Sequence, residues 1–205
     1  MTNTNKMTKG TTNWDTRLFL IAGVFMLINT VCLWLRHFSG YQMSLLWAAI
    51  PAIIGLASGV LGILKLYPRV SIQAPLYARG GACFAYISSA SLLIATIWIF
   101  ISSVFGEGIS DSRSFGFSLL IGSFMICMVI SFIFNAAAFL VNRVTRSIGL
   151  LLLIPVVCWG AMLAVIVTQG FNAGLSLDFY TNGVIGCAFL LIAVVTAKKG
   201  CATMR

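Results

Sequence analysis

Few side chains in this sequence could carry acid–base or metal chemistry. Its 205 residues include four acidic residues and a single histidine, His37. Glu107 and Asp111 lie four residues apart in a stretch rich in glycine and serine, where two carboxylates could bind a cation weakly. The same stretch suits a hydrated loop that ends at a helix start near Ser112 or Ser114, and we favour this interpretation.

The spacing of the cysteines gives no support for a metal or redox centre. None of the six forms a C-x-x-C pair, and most lie within apolar stretches, where cysteine behaves as a small hydrophobic residue. The single histidine rules out bis-histidine haem ligation and disfavours a metal site. Only Cys32 lies near the outer face, so we expect no disulfide between two cysteines on the outer side. We also predict no catalytic, cofactor-binding or metal-binding residues. The cysteines are Cys32, Cys83, Cys127, Cys158, Cys187 and Cys201.

The polar side chains within the apolar stretches are neutral ones. They can form hydrogen bonds to a neighbouring helix or line a narrow polar path through a bundle. They cannot take up and release protons, and they provide no pair of nucleophile and base. We therefore expect neither an enzyme nor a transporter that couples to protons through its own residues. Representative members are Asn29, Thr30, Thr96, Ser123, Ser131 and Asn135.

The elements that position these residues must lie in a membrane. Hydrophobic residues make up 60% of the chain and charged residues 8%, whereas a soluble domain has about 25% charged residues. Six apolar stretches are long enough to cross a hydrocarbon core of about 30 Å as helices, and they show no strand-like alternation. The predicted fold is an all-α integral membrane bundle of six transmembrane helices. These cover residues 18–35, 45–64, 82–105, 115–141, 148–168 and 179–197.

The distribution of basic residues predicts the orientation of the bundle. Eleven of the thirteen lysines and arginines fall on one side, and three of the four acids fall on the other. By the positive-inside rule, both termini are cytoplasmic, with a disordered tail over 1–17 and a second tail over 198–205. We expect a multi-pass protein of the plasma or inner membrane. Because the charges separate the apolar stretches, the net charge of +9 does not indicate a nucleic-acid partner.

Two stretches predict contacts with lipid or protein. The predicted connection over 65–81 combines basic and aromatic residues, which suits anionic lipid headgroups. The second span has small residues on one face, including Gly55 and Gly59, a pattern that allows close packing of helices. Packing within the chain is the simpler interpretation of this face, and self-association or a partner helix is the alternative.

Two stretches around the connections have a distinctive sequence. They are Leu64-Lys65-Leu66-Tyr67-Pro68-Arg69-Val70 with Ala74-Pro75 and Ala78-Arg79-Gly80-Gly81-Ala82, and Arg146-Ser147-Ile148-Gly149-Leu150-Leu151-Leu152-Leu153-Ile154-Pro155. Together they resemble a recurring pattern in uncharacterised multi-pass membrane proteins, mainly archaeal. This resemblance covers about a fifth of the chain; it implies a multi-pass fold and no known activity, so no site residue follows from it.

Two functions from different classes are compatible with these features. The first is a non-enzymatic structural or accessory membrane component that packs with itself or with a partner. The alternative is a permease or channel subunit for a small uncharged solute, lined by hydroxyl and amide side chains. An intramembrane enzyme is disfavoured because the spans lack ionisable residues.

Fusions to a reporter that is active only outside the cytoplasm will test the orientation. We expect activity after Glu107, and none after Arg79 or Arg205, because eleven of the thirteen basic residues lie on the side of the last two. An active fusion at Arg205 would contradict an even number of spans.

Overall fold

A computed structural model describes residues 12–40, 42–43, 46–104, 115–141 and 145–202. Within these ranges the chain forms seven helices and no strand, and six of the helices are long and apolar enough to cross a membrane. The predicted all-α bundle of six spans is therefore confirmed. The helices are α1 (Thr12–Phe38), α2 (Leu46–Gln73), α3 (Pro75–Val104), α4 (Phe115–Leu140), α5 (Arg146–Gln169), α6 (Phe171–Ser176) and α7 (Asp178–Ala202).

The six long helices form a closed ring of neighbours. Going round the bundle, α3 packs on α4, α4 on α5, α5 on α7, α7 on α1 and α1 on α2, and α2 returns to α3. The short α6 packs beside α5 and joins it to α7, directly after Gly170, whose φ of 91° turns the chain. The first and last helices are therefore neighbours, although they lie farthest apart in the sequence.

The predicted connection over 65–81 is helical almost throughout. α2 continues to Gln73 and α3 begins at Pro75, so only Ala74 separates them, and the Ala74 amide donates to the Val70 carbonyl at 2.9 Å. No glycine between Lys65 and Arg79 offers the chain an easy helix end, so α2 continues through Pro68. A new helix begins at Pro75, where the missing N–H group would have had no intrahelical partner.

The outer helices also extend beyond their apolar stretches. α1 begins at Thr12, inside the tail predicted to be disordered, and α7 continues to Ala202, past its predicted end at residue 197. The polar residues at these ends are compatible with a helix, and Asp15 lies in the first turn of α1, where the helix dipole favours a negative charge. A prediction from hydropathy alone leaves out these polar first and last turns of the two helices. Residues 1–11 and 203–205 of the predicted tails lie outside the described ranges.

Close contact between α1 and its two neighbours depends on glycine. A Cβ atom on Gly23 of α1 would lie 2.9 Å from the carbonyl oxygen of Gly186 in α7, so the two backbones are nearly in contact there. On the other side of α1, the small-residue face of α2 is covered from within the chain. Gly55 lies against Met26, and a Cβ on Gly62 would be 3.0 Å from the ring of Phe19. The face packs inside the bundle, as the simpler interpretation expected.

The centre of the bundle is filled by aromatic rings from four helices. Phe132 of α4 lies 5.6 Å from the ring of Trp159 in α5 and 6.1 Å from that of Phe189 in α7. Phe189 in turn lies 5.9 Å from Phe19 of α1. All four side chains are buried. Contacts at these distances are typical of stabilising aromatic pairs, so the rings connect α1, α4, α5 and α7 into one core.

Two glycines of α5 provide a matched test of this packing. A Cβ on Gly149 would lie 2.9 Å from the Ala136 carbonyl oxygen and 3.1 Å from the Leu140 amide nitrogen of α4, whereas a Cβ on Gly160 meets nothing within 4 Å. Backbone atoms cannot swing aside, so we expect Gly149→Ala to destabilise the bundle by about 1–3 kcal/mol. Thermal melting in detergent measures this.

The control is Gly160→Ala, which should leave the melting temperature unchanged or raise it, because alanine is the better helix former. If the two variants melt at the same temperature, the close approach of α4 and α5 does not contribute to stability.

Candidate functional site

A buried polar contact joins α3 to α4. The Ser131 hydroxyl donates to the Gly81 carbonyl oxygen at 2.8 Å, and the Asn135 side-chain amide donates to the Ser131 carbonyl at 2.8 Å. Ser131, Asn135 and Gly81 are all buried. A Cβ on Gly81 would lie 2.5 Å from the Asn135 amide nitrogen, so the glycine makes room for the asparagine. These predicted interior polar residues thus form a helix-packing contact.

Other interior hydroxyl groups donate to their own helix. Thr96 donates to the Leu92 carbonyl at 2.7 Å, and Thr30 donates to the Met26 carbonyl at 3.0 Å. Ser89 does the same toward Ala85 at 2.8 Å. Because each of these groups has a partner one turn earlier in its helix, it can lie in an apolar bundle without a polar solute or a channel.

Aromatic residues mark two levels on the bundle. Since Phe19 and Met26 of α1 lie opposite Gly62 and Gly55 of α2, antiparallel packing places Trp14 level with Tyr67, and Trp34 level with Trp47. Twenty residues of α1 separate the two levels, a rise of about 30 Å, which matches a hydrocarbon core. We call the end at Trp14 and Tyr67 the basic end.

At the basic end, an open groove runs between α2 and α3. It has a volume of about 520 Å³ and is lined by Leu64, Tyr67, Arg79, Ala82, Cys83 and Tyr86. The side chains of Arg79, Cys83 and Tyr86 are exposed, and that of Tyr67 is half-buried. We call this feature the α2–α3 groove. It combines one cation and two phenols with an apolar floor, and two of its lining residues, Tyr67 and Arg79, belong to the segment for which the sequence predicted lipid contact.

The opposite end of the bundle holds a cluster of aromatic rings between α1 and α7. Trp34 meets Phe179 edge-on at 5.7 Å, and His37 stacks on the same ring at 6.4 Å. Beside it, the Asn182 side-chain amide donates to Asp178 at 2.8 Å. The sequence placed Asp178 in a loop, whereas it begins α7, where an acid suits the helix dipole. This cluster attaches the first helix to the last.

The remaining candidates give no further site in the described ranges. Glu107 and Asp111 lie outside them. Among the described residues, no three or more His, Cys, Asp or Glu side chains come together as metal ligands would. The side chains of five of the six cysteines are described, and these are free thiols, each on a different helix.

Comparison with known proteins supplies no relative. No family model, curated protein or solved structure matches the chain. The resemblance to uncharacterised, mainly archaeal membrane proteins therefore stays a prediction from the sequence.

Two serines allow the contact between α3 and α4 to be measured. We expect Ser131→Ala to cost about 0.6–1.7 kcal/mol, because it removes a hydrogen bond between two helices inside the bundle. Ser89→Ala is the control, because the Ser89 hydroxyl donates to a carbonyl of its own helix, α3. Its loss should change the free energy of unfolding by only a few tenths of the change expected for Ser131→Ala. Melting temperatures in one detergent compare the two. A larger loss at Ser89 would contradict the assignment.

Proposed function

We propose that this protein is a non-enzymatic structural or accessory component of the cell membrane. The observation that carries the proposal is the packed interior. Rings of Phe19, Phe132, Trp159 and Phe189 fill the centre of the bundle. Interior hydroxyl groups such as those of Thr96 and Ser131 donate to carbonyls of the chain itself. A bundle packed in this way resembles the core of a soluble protein more than a path for a solute. We therefore expect it to act through the residues on its surface.

We further propose that the basic end faces the cytoplasm, in the plasma or inner membrane. The exposed side chains of Arg17, Lys65, Arg79 and Arg146 belong to the side that carries most basic residues of the sequence. Cytoplasmic loops carry such an excess. Both termini then lie in the cytoplasm, because six spans return the chain to the side where it began.

One observation favours the alternative of a permease for a small uncharged solute. Asn29 of α1 and Asn182 of α7 are both buried, and Thr30 lies beside Gly183, so amide and hydroxyl groups gather between α1 and α7. Such groups could orient a polar solute. These groups lie in the half of the bundle away from the basic end. Nearer the basic end, the aromatic core fills the centre, and the Thr16 and Thr196 hydroxyl groups of α1 and α7 bond to each other at 3.2 Å. We therefore retain the accessory component as the leading proposal.

Solute flux into liposomes of the pure protein tests both proposals. We expect glycerol and urea to enter at the rate of protein-free liposomes, measured by stopped-flow light scattering, with or without an imposed pH step. None of the six spans predicted from the sequence contains Asp, Glu, Lys, Arg or His, so we expect no dependence of the flux on the pH step.

Faster entry that saturates with solute concentration would favour the permease. In that case Asn29→Leu should abolish it, and Leu27→Met, a change on the same helix that conserves volume, should not. Uphill accumulation that collapses with an uncoupler would contradict both proposals.

A further inference from the structure

We propose that the α2–α3 groove binds the headgroup of an anionic phospholipid from the leaflet at the basic end. The inference does not depend on the accessory role, because a permease could hold the same lipid. The sequence predicted lipid contact over residues 65–81. The proposed site specifies where on the bundle the lipid binds, which residues line the site and which class of lipid it prefers.

The depth of the groove matches that of a phospholipid. Ala74 separates two antiparallel helices, so Gly81 lies level with Tyr67, at the edge of the hydrocarbon core. Arg79 lies about 3 Å outside this level, and Tyr86 lies about 7.5 Å inside it. A headgroup phosphate at Arg79 therefore leaves the glycerol and the first acyl carbons beside Cys83 and Tyr86.

The lining supplies suitable chemistry at each depth. The Arg79 guanidinium is exposed and presents a fork of N–H donors that suits phosphate oxygens. Tyr67 and Tyr86 offer a hydroxyl group on an apolar ring, a combination that suits the boundary between headgroups and acyl chains. Leu64, Ala82 and Cys83 complete an apolar floor. The volume of about 520 Å³ lies in the range of small-molecule sites.

The charges favour an anionic lipid over a zwitterionic one. Arg79 is the cation of the lining, and the exposed Lys65 follows the lining residue Leu64 in α2. The one acid on this side of the sequence is Asp15, which is buried in α1, on the helix that packs against α2 and α7. The ammonium group of a zwitterionic headgroup would find no carboxylate in the lining, whereas a lone negative charge meets Arg79.

The surroundings of the groove favour lipid as its occupant. Tyr86 is 64% exposed, and it lies at acyl depth on the perimeter of the bundle. At that depth the solvent is the bilayer itself, so a phospholipid reaches the groove without leaving its leaflet. A second copy of the chain is the competing occupant, and the experiment separates the two.

Lipid titration of the full-length protein in mild detergent tests the proposal. Native mass spectrometry counts bound dioleoyl phosphatidylglycerol and, separately, dioleoyl phosphatidylcholine. We expect one phosphatidylglycerol to bind the parent more tightly than phosphatidylcholine, and Arg79→Gln to weaken it about fivefold, the effect of one basic residue near a membrane surface. Arg146→Gln, on the exposed start of α5, should change it less than twofold. Equal melting temperatures without lipid confirm that the variants fold.

A second measurement needs no variant. Cys83 lies in the groove, whereas Cys187 is an exposed thiol on α7, so their rates of maleimide labelling can be compared within one molecule. We expect phosphatidylglycerol to slow labelling of Cys83 at least threefold relative to Cys187, and phosphatidylcholine to leave the ratio unchanged.

Several results would overturn the proposal. They are equal weakening by Arg79→Gln and Arg146→Gln, equal binding of the two lipids, and protection of Cys83 by glycerol phosphate alone. Protection of Cys83 in lipid-free protein that migrates as a dimer would assign the groove to a second copy.

Discussion

In a hydrocarbon solvent, an apolar side chain gains little by leaving lipid for another helix, so this bundle depends on close approach of its helix backbones. Glycine provides that approach at most of the contacts between helices. Gly23 and Gly186 contact each other where α1 crosses α7. Gly149 of α5 lies against the backbone of α4, and Gly81 of α3 leaves room for the Asn135 side chain. Where the backbones come this near, dispersion contacts and hydrogen bonds such as that of Ser131 can form.

Two contacts between helices lack such a glycine, and they differ in what replaces it. Between α5 and α7, a large buried side chain takes its place, that of Met162, whose sulfur lies 4.0 Å from the Thr181 hydroxyl. Between α2 and α3, the glycines of both helices face other neighbours. Those of α2 meet α1 and α7, and Gly80 and Gly81 of α3 meet α4. The side chains that remain, Tyr67 and Tyr86 among them, do not fill the gap, so a groove stays open there. The groove is thus a consequence of where the glycines lie.

The number of spans could be predicted from the sequence, because it depends on the local property of hydropathy over about twenty residues. The ends of the helices could not. Residues 65–73 and 75–81 mix charged, aromatic and proline residues in a way typical of a loop, yet they form helix because neighbouring turns supply the backbone hydrogen bonds. The start of α1 is a similar case. On a hydropathy scale Asp15 ends the apolar stretch, but an acid in the first turn of a helix is stabilised by the helix dipole.

In the candidate site, the sequence does not predict which side chains come into contact across different helices. Arg79 and Tyr67 are visible in the sequence as a basic and an aromatic residue near a membrane surface, and this suffices to predict lipid contact. Their meeting across a groove requires that α2 and α3 be antiparallel with a connection of one residue, which the loop-like composition concealed. Likewise, Ser131 and Asn135 read as candidates for a polar path, but their partner is a backbone carbonyl fifty residues away. Ser131 and Asn135 are thus used in packing, and the polar groups of the described chain that suit a ligand lie at its surface. They are the guanidinium group and the two phenols of the α2–α3 groove.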